Sequence, residues 1–184
     1  MNLRILVTGS REVTDIARVD DALRSVHRLF GSPERVTLVH GAARGLDTLA
    51  DRAARNLWWL TEEHPAQWSQ HGGCWCKDRS KRCGFAGHRR NSEMIALGAD
   101  VVLAFPMHKQ NDKSGSRGTW NCTETALEAG LPVFVVWNDH LFPFGDQAHG
   151  LVTELTDRSH LRLGPRNEIS IRSLASALPG AMGV

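Results

Sequence analysis

The chain has 184 residues, which is long enough for one domain with a full hydrophobic core and short for two. Hydrophobic residues make up 41% of it, and the absence of an apolar run of about 18 residues argues against a membrane span. The formal net charge of +2 is too small to indicate nucleic acid binding by itself. The N-terminal residues lack the layout of a secretory signal peptide, so we expect a cytoplasmic protein.

The first third of the chain alternates between two kinds of pattern. Continuous apolar runs that end at a glycine turn predict buried parallel strands. Between these runs, apolar residues recur every three or four positions, which predicts helices. In chain order the predicted elements are a strand at 3–7, a helix at 16–30, a strand at 35–40, a helix at 46–56 and a strand at 58–62.

An irregular stretch at 65–87 interrupts this alternation. It contains three cysteines and a basic run, and we predict an inserted loop that has a function, is organised by a metal, or is partly disordered. The alternation then resumes with a helix at 88–97, a strand at 100–105, a helix at 119–129 and a strand at 131–137. Residues 138–184 are less periodic and are predicted as a C-terminal extension, with a further strand near Leu161 and a short helix ending over 173–177.

Alternating strands and helices indicate one α/β domain over 1–184. We therefore predict a Rossmann-like three-layer sandwich with a mainly parallel central sheet. In such sheets ligands bind outside the carboxyl ends of the strands, so the residues that follow each predicted strand become the candidates for a site.

The loops at this predicted edge are rich in glycine, small hydroxyl residues and arginine. Glycine lets backbone N–H groups approach a phosphate closely, helix N-termini favour anions, and arginine donates two hydrogen bonds at once. The fingerprints of common NAD and ATP sites are missing. We predict a site for a nucleotide or sugar phosphate formed by Gly9, Ser10, Arg11, Gly41, Ala42, Arg44, Gly45, Asp47, Arg89, Arg90, Asn91, Gly115, Ser116, Arg117, Gly118 and Thr119.

Several segments also resemble a known family. The segments LVTGSREVTD, LVHGAARGLDTLADRAA, HPAQW, GHRRNSEMI and GSRGTWNCTETALEAGLPV occur in the order and rough spacing of the YspA-like branch of the SLOG superfamily. The resemblance runs over about 3–136. It implies a Rossmann-like fold that binds nucleotides or nucleotide-derived ligands. Relatives include the Lonely Guy phosphoribohydrolases, DNA-processing protein A and sensor domains of bacterial defence systems, and relatives often self-associate, so a homo-oligomer is expected.

The resemblance also assigns roles to individual residues. Gly115, Gly118 and Thr119 match the phosphate loop of the Lonely Guy enzymes, and Arg90 matches an arginine that they use. Their catalytic glutamate, however, falls on Cys122. Glu124 lies two residues further along the predicted helix, which turns its side chain by about 200° to another face. The resemblance therefore implies a protein that binds its ligand without cutting it, as a sensor or a sequestering protein.

Two other functions remain open. The first is a nucleoside 5′-monophosphate phosphoribohydrolase that cleaves the N-glycosidic bond with Arg90 and a displaced carboxylate, for which Asp47 is the candidate, although it is equally explained as a charge that stabilises a helix N-terminus. The second is single-stranded DNA binding, suggested by the basic run at 77–90. Trp68, Trp75 and Trp120 are candidates for stacking on a base, with a core role as the alternative.

The cysteines at 74, 76 and 83 cluster with His71 and His88. In a cytosolic chain such clustering favours metal or redox chemistry over a structural disulfide. We expect a closed, structural zinc site formed by His71, Cys74, Cys76 and Cys83, although the single residue between the first two cysteines is a tighter spacing than usual. An oxidised cysteine pair and free thiols are the alternatives. Cys122 lies apart and is expected as a small buried hydrophobe.

Overall fold

The computed structural model describes residues 2–108, 116–159 and 163–171. Strands and helices alternate through most of this range, as the hydrophobic patterns predict. The elements in chain order are β1 (Asn2–Gly9), α1 (Ile16–Leu29), β2 (Arg35–His40), α2 (Leu46–Asn56), β3 (Leu60–Glu63), α3 (Ala86–Ala96), β4 (Val101–Phe105), α4 (Arg117–Glu128), β5 (Val133–Trp137), β6 (His140–Phe144), α5 (Asp146–Ser159) and β7 (Ile169–Ser170).

Among the described residues, the strands form one sheet in the order β3-β2-β1-β4-β5-β6-β7. The pairs from β3 to β5 are parallel, whereas β5–β6 and β6–β7 are antiparallel. The strand order reverses between β1 and β4, because the chain first moves outwards to β3 and then returns through α3. The predicted Rossmann-like, mainly parallel α/β fold is confirmed.

Two hydrophobic clusters fill the space on either side of the sheet. Helices α1, α2 and α5 cover one face, where Leu23, Leu38 and Phe134 are fully buried. Helices α3 and α4 cover the other face, where Leu6 and Val102 are fully buried. Burial on both faces explains why the central strands are continuous apolar runs in the sequence. In the described ranges, none of the helices combines the length and the apolar character that crossing a bilayer requires.

The turn between α2 and β3 differs from the prediction. Trp58 has a φ of 60° and Trp59 donates its amide to the Ala54 carbonyl, so these residues close α2. The strand therefore begins at Leu60 rather than at residue 58. Trp58 is 95% exposed. The predicted strand began too early because aromatic residues favour strands in general. The turn that ends α2 requires one residue in the left-handed conformation, and here that residue is Trp58.

The region after β5 contains more regular structure than its weak periodicity suggested. Asn138 and Asp139 both have positive φ and connect β5 to β6 as a two-residue hairpin. Asn and Asp tolerate this conformation better than other residues with side chains, so the turn is encoded locally. Pro143 within β6 obscured the strand, since proline donates no hydrogen bond to a ladder. The further strand near Leu161 and the short helix over 173–177 lie outside the described residues.

Candidate functional site at the carboxyl edge of the sheet

The loops that follow β1 and β2 interlock. The Leu46 amide donates a hydrogen bond of 3.2 Å to the Ser10 carbonyl. Gly45 has a φ of 79°, and a Cβ there would overlap the backbone of Arg11. A Cβ at Gly9 would likewise overlap the Leu46 side chain. Both glycines are therefore required for the close approach of the two loops, and the first two predicted groups of site residues lie together.

Arg90 joins α3 to the loop after β2. Its Nη1 donates to the Gly41 carbonyl and, at 3.3 Å, to the His64 carbonyl. A Cβ at Gly41 would occupy the space of the Arg90 guanidinium. The side chain is only 14% exposed and its Nη1 lies 3.9 Å from Asp47 Oδ2. Arg90 thus contacts the protein itself at this edge, and it holds the second loop in place.

Asp47 faces the interior of this cluster rather than the solvent. It is 5% exposed, and its Oδ2 accepts a hydrogen bond of 3.1 Å from the Ala43 amide. Burial raises the pKa of its carboxyl group above the ordinary value, and this effect outweighs the lowering by the Ala43 amide and by the charge of Arg90. A simple solvent-exposed charge at the start of a helix would not have these surroundings.

Cys122 projects from α4 into the same cluster and is fully buried. Burial raises the pKa of its thiol to about 11, although a hydrogen bond from Thr8 and the charge of Arg90 lower it; the charge of Asp47 raises it further. The thiol is therefore neutral at physiological pH. Glu124, two residues further on, is exposed, as the helical geometry predicts. The buried position thus carries a thiol, with the Asp47 carboxylate close enough to affect it.

The loop before α4 completes the edge. Asn91 of α3 is buried and donates through Nδ2 to the Gly118 carbonyl at 3.3 Å and to Asn121 Oδ1 at 3.1 Å. Ser116 has a φ of 55°, and its hydroxyl accepts a hydrogen bond of 2.9 Å from the Met107 amide. Arg117 and Gly118 are exposed and Thr119 is buried. Gly115, which was also predicted to bind the ligand, lies outside the described residues.

The helix N-termini at this edge differ in how they are capped. Asp15 caps α1 by accepting a hydrogen bond from the Arg18 amide. Among the residues that the structure describes, no side chain caps α2, α3 or α4 in this way. Helix α2 compensates with Asp47 in its first turn, but the first turn of α4 contains no acidic residue. The N-terminus of α4 therefore retains the positive potential that favours an anion.

The remaining predicted residues are distributed differently. Arg11 and Arg44 are exposed at the rim. Arg89 points away from the edge and donates to the Gln70 and Gly72 carbonyls at 2.6 and 3.1 Å. The Ala42 amide, expected to face a phosphate, instead donates to His40 Nδ1 at 3.2 Å. Sequence analysis missed His40, although its position at the end of β2, directly before the glycine loop, was a usable signal.

The insert between β3 and α3 brings the four predicted metal ligands together. Their ligand atoms all lie within 4.8 Å of one another. His71 Nδ1 lies 3.5 Å from Cys74 Sγ, and the sulfurs of Cys76 and Cys83 are 3.7 Å apart. Neighbouring ligands of a tetrahedral zinc ion are separated by about 3.5–3.8 Å, given the usual bond lengths. A disulfide would need sulfurs about 2.05 Å apart, and all four cysteines are free.

Groups next to this Cys/His cluster favour the protonation states of its ligands that bind a cation. The Lys81 carbonyl lies 3.0 Å from His71 Nε2 and can accept its proton, which leaves the Nδ1 lone pair directed at the cluster. Arg89 Nη1 donates to Cys83 Sγ at 3.3 Å. Burial alone would raise the pKa of the Cys83 thiol, but the hydrogen bonds from Arg89 and from the Phe85 amide bring it down to about 6. The residues present fit a zinc ion.

A second group, formed by His40, Asp51 and Glu63, also lies within 4.8 Å, but its chemistry does not suit a metal. Because His40 Nδ1 accepts from the Ala42 amide, the proton of the neutral ring is on Nε2, the atom that faces Asp51 at 3.4 Å. Arg55 already pairs with Asp51 and Glu63. This group links the ends of β2 and β3 to α2 and does not offer the donor atoms of a metal site.

Comparisons with known proteins agree with this arrangement. A sequence model of the YspA, cpYpsA-related SLOG family matches residues 3–71. The gene 61 protein of Mycobacterium phage D29 is 41% identical over 138 residues, which is 71% of this chain and 93% of that protein. The crystal structure of DNA processing protein A (DprA) from Streptococcus pneumoniae superposes with a TM-score of 0.52 at 21% identity.

The structural match shows the fold alone, because identity is low. It covers 83% of this chain but 56% of the Streptococcus protein, so the chain spans little more than half the length of that relative. The phage relative, in contrast, is similar along nearly its whole length. Together with the family match, this extent of similarity establishes the assignment. The chain belongs to the YspA, cpYpsA-related SLOG family.

Proposed function

We propose that this protein binds a nucleotide or nucleotide-derived ligand at the carboxyl edge of the sheet, as a sensor or sequestering protein. The observation that carries the proposal is the convergence of loops from four parts of the chain around the N-terminus of α4. Contacts such as Leu46 to Ser10, Arg90 to Gly41 and Asn91 to Gly118 hold these loops in one arrangement. A site fixed in this way before the ligand arrives loses little entropy on binding.

The phosphate is expected at the first turn of α4. No described side chain caps this turn and it contains no acidic residue, and Gly118 is exposed without a Cβ to keep a ligand away. Arg117 is exposed beside it. Arg90 acts indirectly, since its Nη1 is bound to backbone carbonyls; it fixes the Gly41 loop that forms the opposite wall.

Binding without hydrolysis is favoured by the residue at position 122. A carboxylate there would stabilise a cationic sugar centre or activate water, whereas the buried Cys122 thiol, with a pKa of about 11, carries no charge. Glu124 is exposed on another face of α4 and does not replace it.

Hydrolysis of a nucleoside 5′-monophosphate is the second candidate function, and one observation favours it. Asp47 is buried close to Cys122 and Arg90, and its pKa is raised by burial. A buried carboxylate with a raised pKa is typical of a general acid or base. In this alternative Asp47, from α2, supplies the carboxylate that position 122 of α4 lacks, and Arg90 is the positioning residue.

The two functions are separated by measuring binding and products together. The purified protein is tested against AMP, cyclic dinucleotides and ADP-ribose, with melting temperature and release of free base as readouts. Gly118→Val is the decisive variant, because no atom of the described residues lies within 4 Å of a Cβ at this position. It leaves the fold intact while its side chain covers the amides of α4. Arg90→Ala and Asp47→Asn complete the set.

Stabilisation by a ligand without product, lost in Gly118→Val and weakened in Arg90→Ala, is the expected result. Release of free base by the wild type but not by Asp47→Asn would replace the binding role with the hydrolase. Equal stabilisation of the wild type and Gly118→Val would remove the site from the N-terminus of α4.

We also propose that the Cys/His cluster holds a structural zinc ion. Three cysteines and a histidine leave no open position for water, so the ion would organise the insert rather than take part in a reaction. Zinc would be released by a chelator or by acid. The expected zinc content of the purified protein is about one per chain by elemental analysis, and a content near zero in protein purified without chelators would contradict the proposal.

A further inference from the structure

The insert carries a net positive charge, whereas the rest of the chain does not. Lys77, Arg79, Lys81 and Arg82 are accompanied by Asp78 alone, so this segment holds more positive charge than the net +2 of the whole chain. Asp78 pairs with Lys81 at 3.2 Å. The family match ends at residue 71, before this segment begins. The positive charge is therefore concentrated in the insert.

A groove of about 540 Å³ lies between two parts of this region, residues 66–70 and residues 79–82. Its lining contains three cations and no carboxylate. One wall is Trp68, and the guanidinium of Arg82 lies 4.4 Å from the centre of its ring. Two amide side chains, Gln67 and Gln70, and two hydroxyls, Ser69 and Ser80, also line the groove. The size suits a nucleotide unit, and the charge suits a phosphate.

The insert also exposes aromatic side chains. Trp75 is 90% exposed and Phe85 is 43% exposed, and both belong to the insert. A flat ring that stacks on a large aromatic surface removes that surface from water, which stabilises the complex. Cations interleaved with exposed aromatic residues are the usual elements of surfaces that bind unpaired bases along a phosphate backbone.

We propose that the insert binds single-stranded nucleic acid, with phosphates in the Arg79–Lys81–Arg82 groove and a base stacked on Trp75. A duplex would satisfy the cations but hide its base faces, and it would leave Trp75 exposed. The strand would occupy a different surface from the nucleotide ligand proposed above. This inference therefore stands without the proposed function and is tested separately from it.

The test measures the affinity of the metal-loaded protein for fluorescent oligo(dT), oligo(U) and a duplex of equal length over a series of salt concentrations. Trp75→Ala is expected to weaken strand binding at least about fivefold, since it removes one stacking contact. Arg79→Glu with Lys81→Glu is expected to weaken it further and to lower the salt slope by about one to two. Binding of either strand supports the proposal, and the tighter one identifies DNA or RNA.

Controls make the outcome specific. Arg35→Glu with Arg52→Glu changes the charge equally on exposed residues outside the insert, and it should bind the strand as well as or only slightly less than the wild type. Gly118→Val should bind it fully, even if nucleotide binding fails. Zinc content and melting temperature confirm that each variant is folded. Equal losses in both double variants, an unchanged affinity of Trp75→Ala, or equal affinity for the duplex would overturn the proposal.

Discussion

The carboxyl edge of the sheet and the insert after β3 are organised by different means, although they meet at one helix. At the edge, glycines allow loops to touch and buried hydrogen bonds fix them, as between Arg90 and Gly41. In the insert few apolar side chains are buried, and its residues come together at the Cys/His cluster. Packing orders the edge, whereas we propose that a bound ion orders the insert.

Two neighbouring arginines of α3 contact different regions, one the edge and the other the insert. Arg90 turns towards the glycine loop and Asp47, while Arg89 turns towards Cys83 and the carbonyls of the insert. Helix α3 itself begins where the Ala86 amide donates to the Cys83 carbonyl at 3.2 Å. The helix that supplies Arg90 to the edge is therefore anchored at its first residue to a proposed metal ligand, so the two regions are physically connected.

Replacing the two buried cysteines one at a time should give the largest difference between the insert and the edge. We expect Cys83→Ser to lose zinc and to lower the melting temperature by about 10 °C, the size expected when a ligand at about 1,000 times its Kd no longer binds. Trypsin should then cleave within residues 77–82. Cys122→Ser is the matched control, because it is equally buried but belongs to the edge; it should keep its zinc and lose only a few degrees. Equal effects would show that the insert needs no metal.

Adding a methyl group at the edge is the next largest change. Gly41→Ala should cost about 1–3 kcal/mol of unfolding free energy, because the new Cβ displaces the Arg90 guanidinium. Gly150→Ala in α5 is the control; nothing lies within 4 Å of its Cβ, and it should gain about 0.5–1 kcal/mol. Urea unfolding measures both. A stable Gly41→Ala protein that keeps its ligand would contradict the packing account of the edge.

Removing the buried charge of Asp47 should stabilise the protein. Its folded-state pKa is raised by burial, so the carboxylate costs stability above its unfolded pKa, and that cost disappears as pH falls below it. We expect Asp47→Asn to raise the melting temperature at pH 7, by about 2–4 °C for each kcal/mol recovered, and to match the wild type near pH 3. Differential scanning calorimetry at both values is the measurement, and a lower melting temperature at pH 7 would contradict this assignment.

The pH dependence at Glu62 should be the smallest effect. Hydrogen bonds from Arg4 and His64 lower the pKa of this carboxyl group from 4.5 to about 2. Its contribution to stability is therefore present above pH 4.5 and is lost as the pH falls towards 2. Because the pair is partly exposed, Glu62→Gln should cost no more than about 1 kcal/mol at neutral pH. Glu63→Gln, whose pair with Arg55 is longer at 3.4 Å, is the control and should cost less.

The sequence predicts the parallel core well because burial on both faces leaves an unambiguous apolar pattern. The bounds of β2 and α2 agree with the prediction residue for residue. The antiparallel hairpin of β5 and β6 was missed, since its signal is the conformation of Asn138 and Asp139 rather than a periodicity. Local turn chemistry, not hydrophobic spacing, specifies this part of the sheet.

The residue types of the site could be predicted from the sequence, but the contacts between these residues could not. Glycine and arginine after each strand located the edge, yet no pattern could show that Arg90 turns to Gly41 or that the Ala42 amide is used by His40. Such contacts join residues far apart in sequence and depend on how α3 packs over the sheet. In the insert, residue types alone indicated the ligand set, because cysteine and histidine have few other reasons to cluster.

The most direct test of the central claim is a nitrogen-15 NMR titration of the protein with the nucleotide that stabilises it most in the thermal assay. The account predicts the largest shifts at the Gly118 and Thr119 amides, smaller ones at Gly45, and little change across residues 66–82. The same titration of Gly118→Val should leave these amides unmoved. Shifts confined to 66–82, with the amides of α4 unchanged, would contradict a ligand site at the carboxyl edge of the sheet.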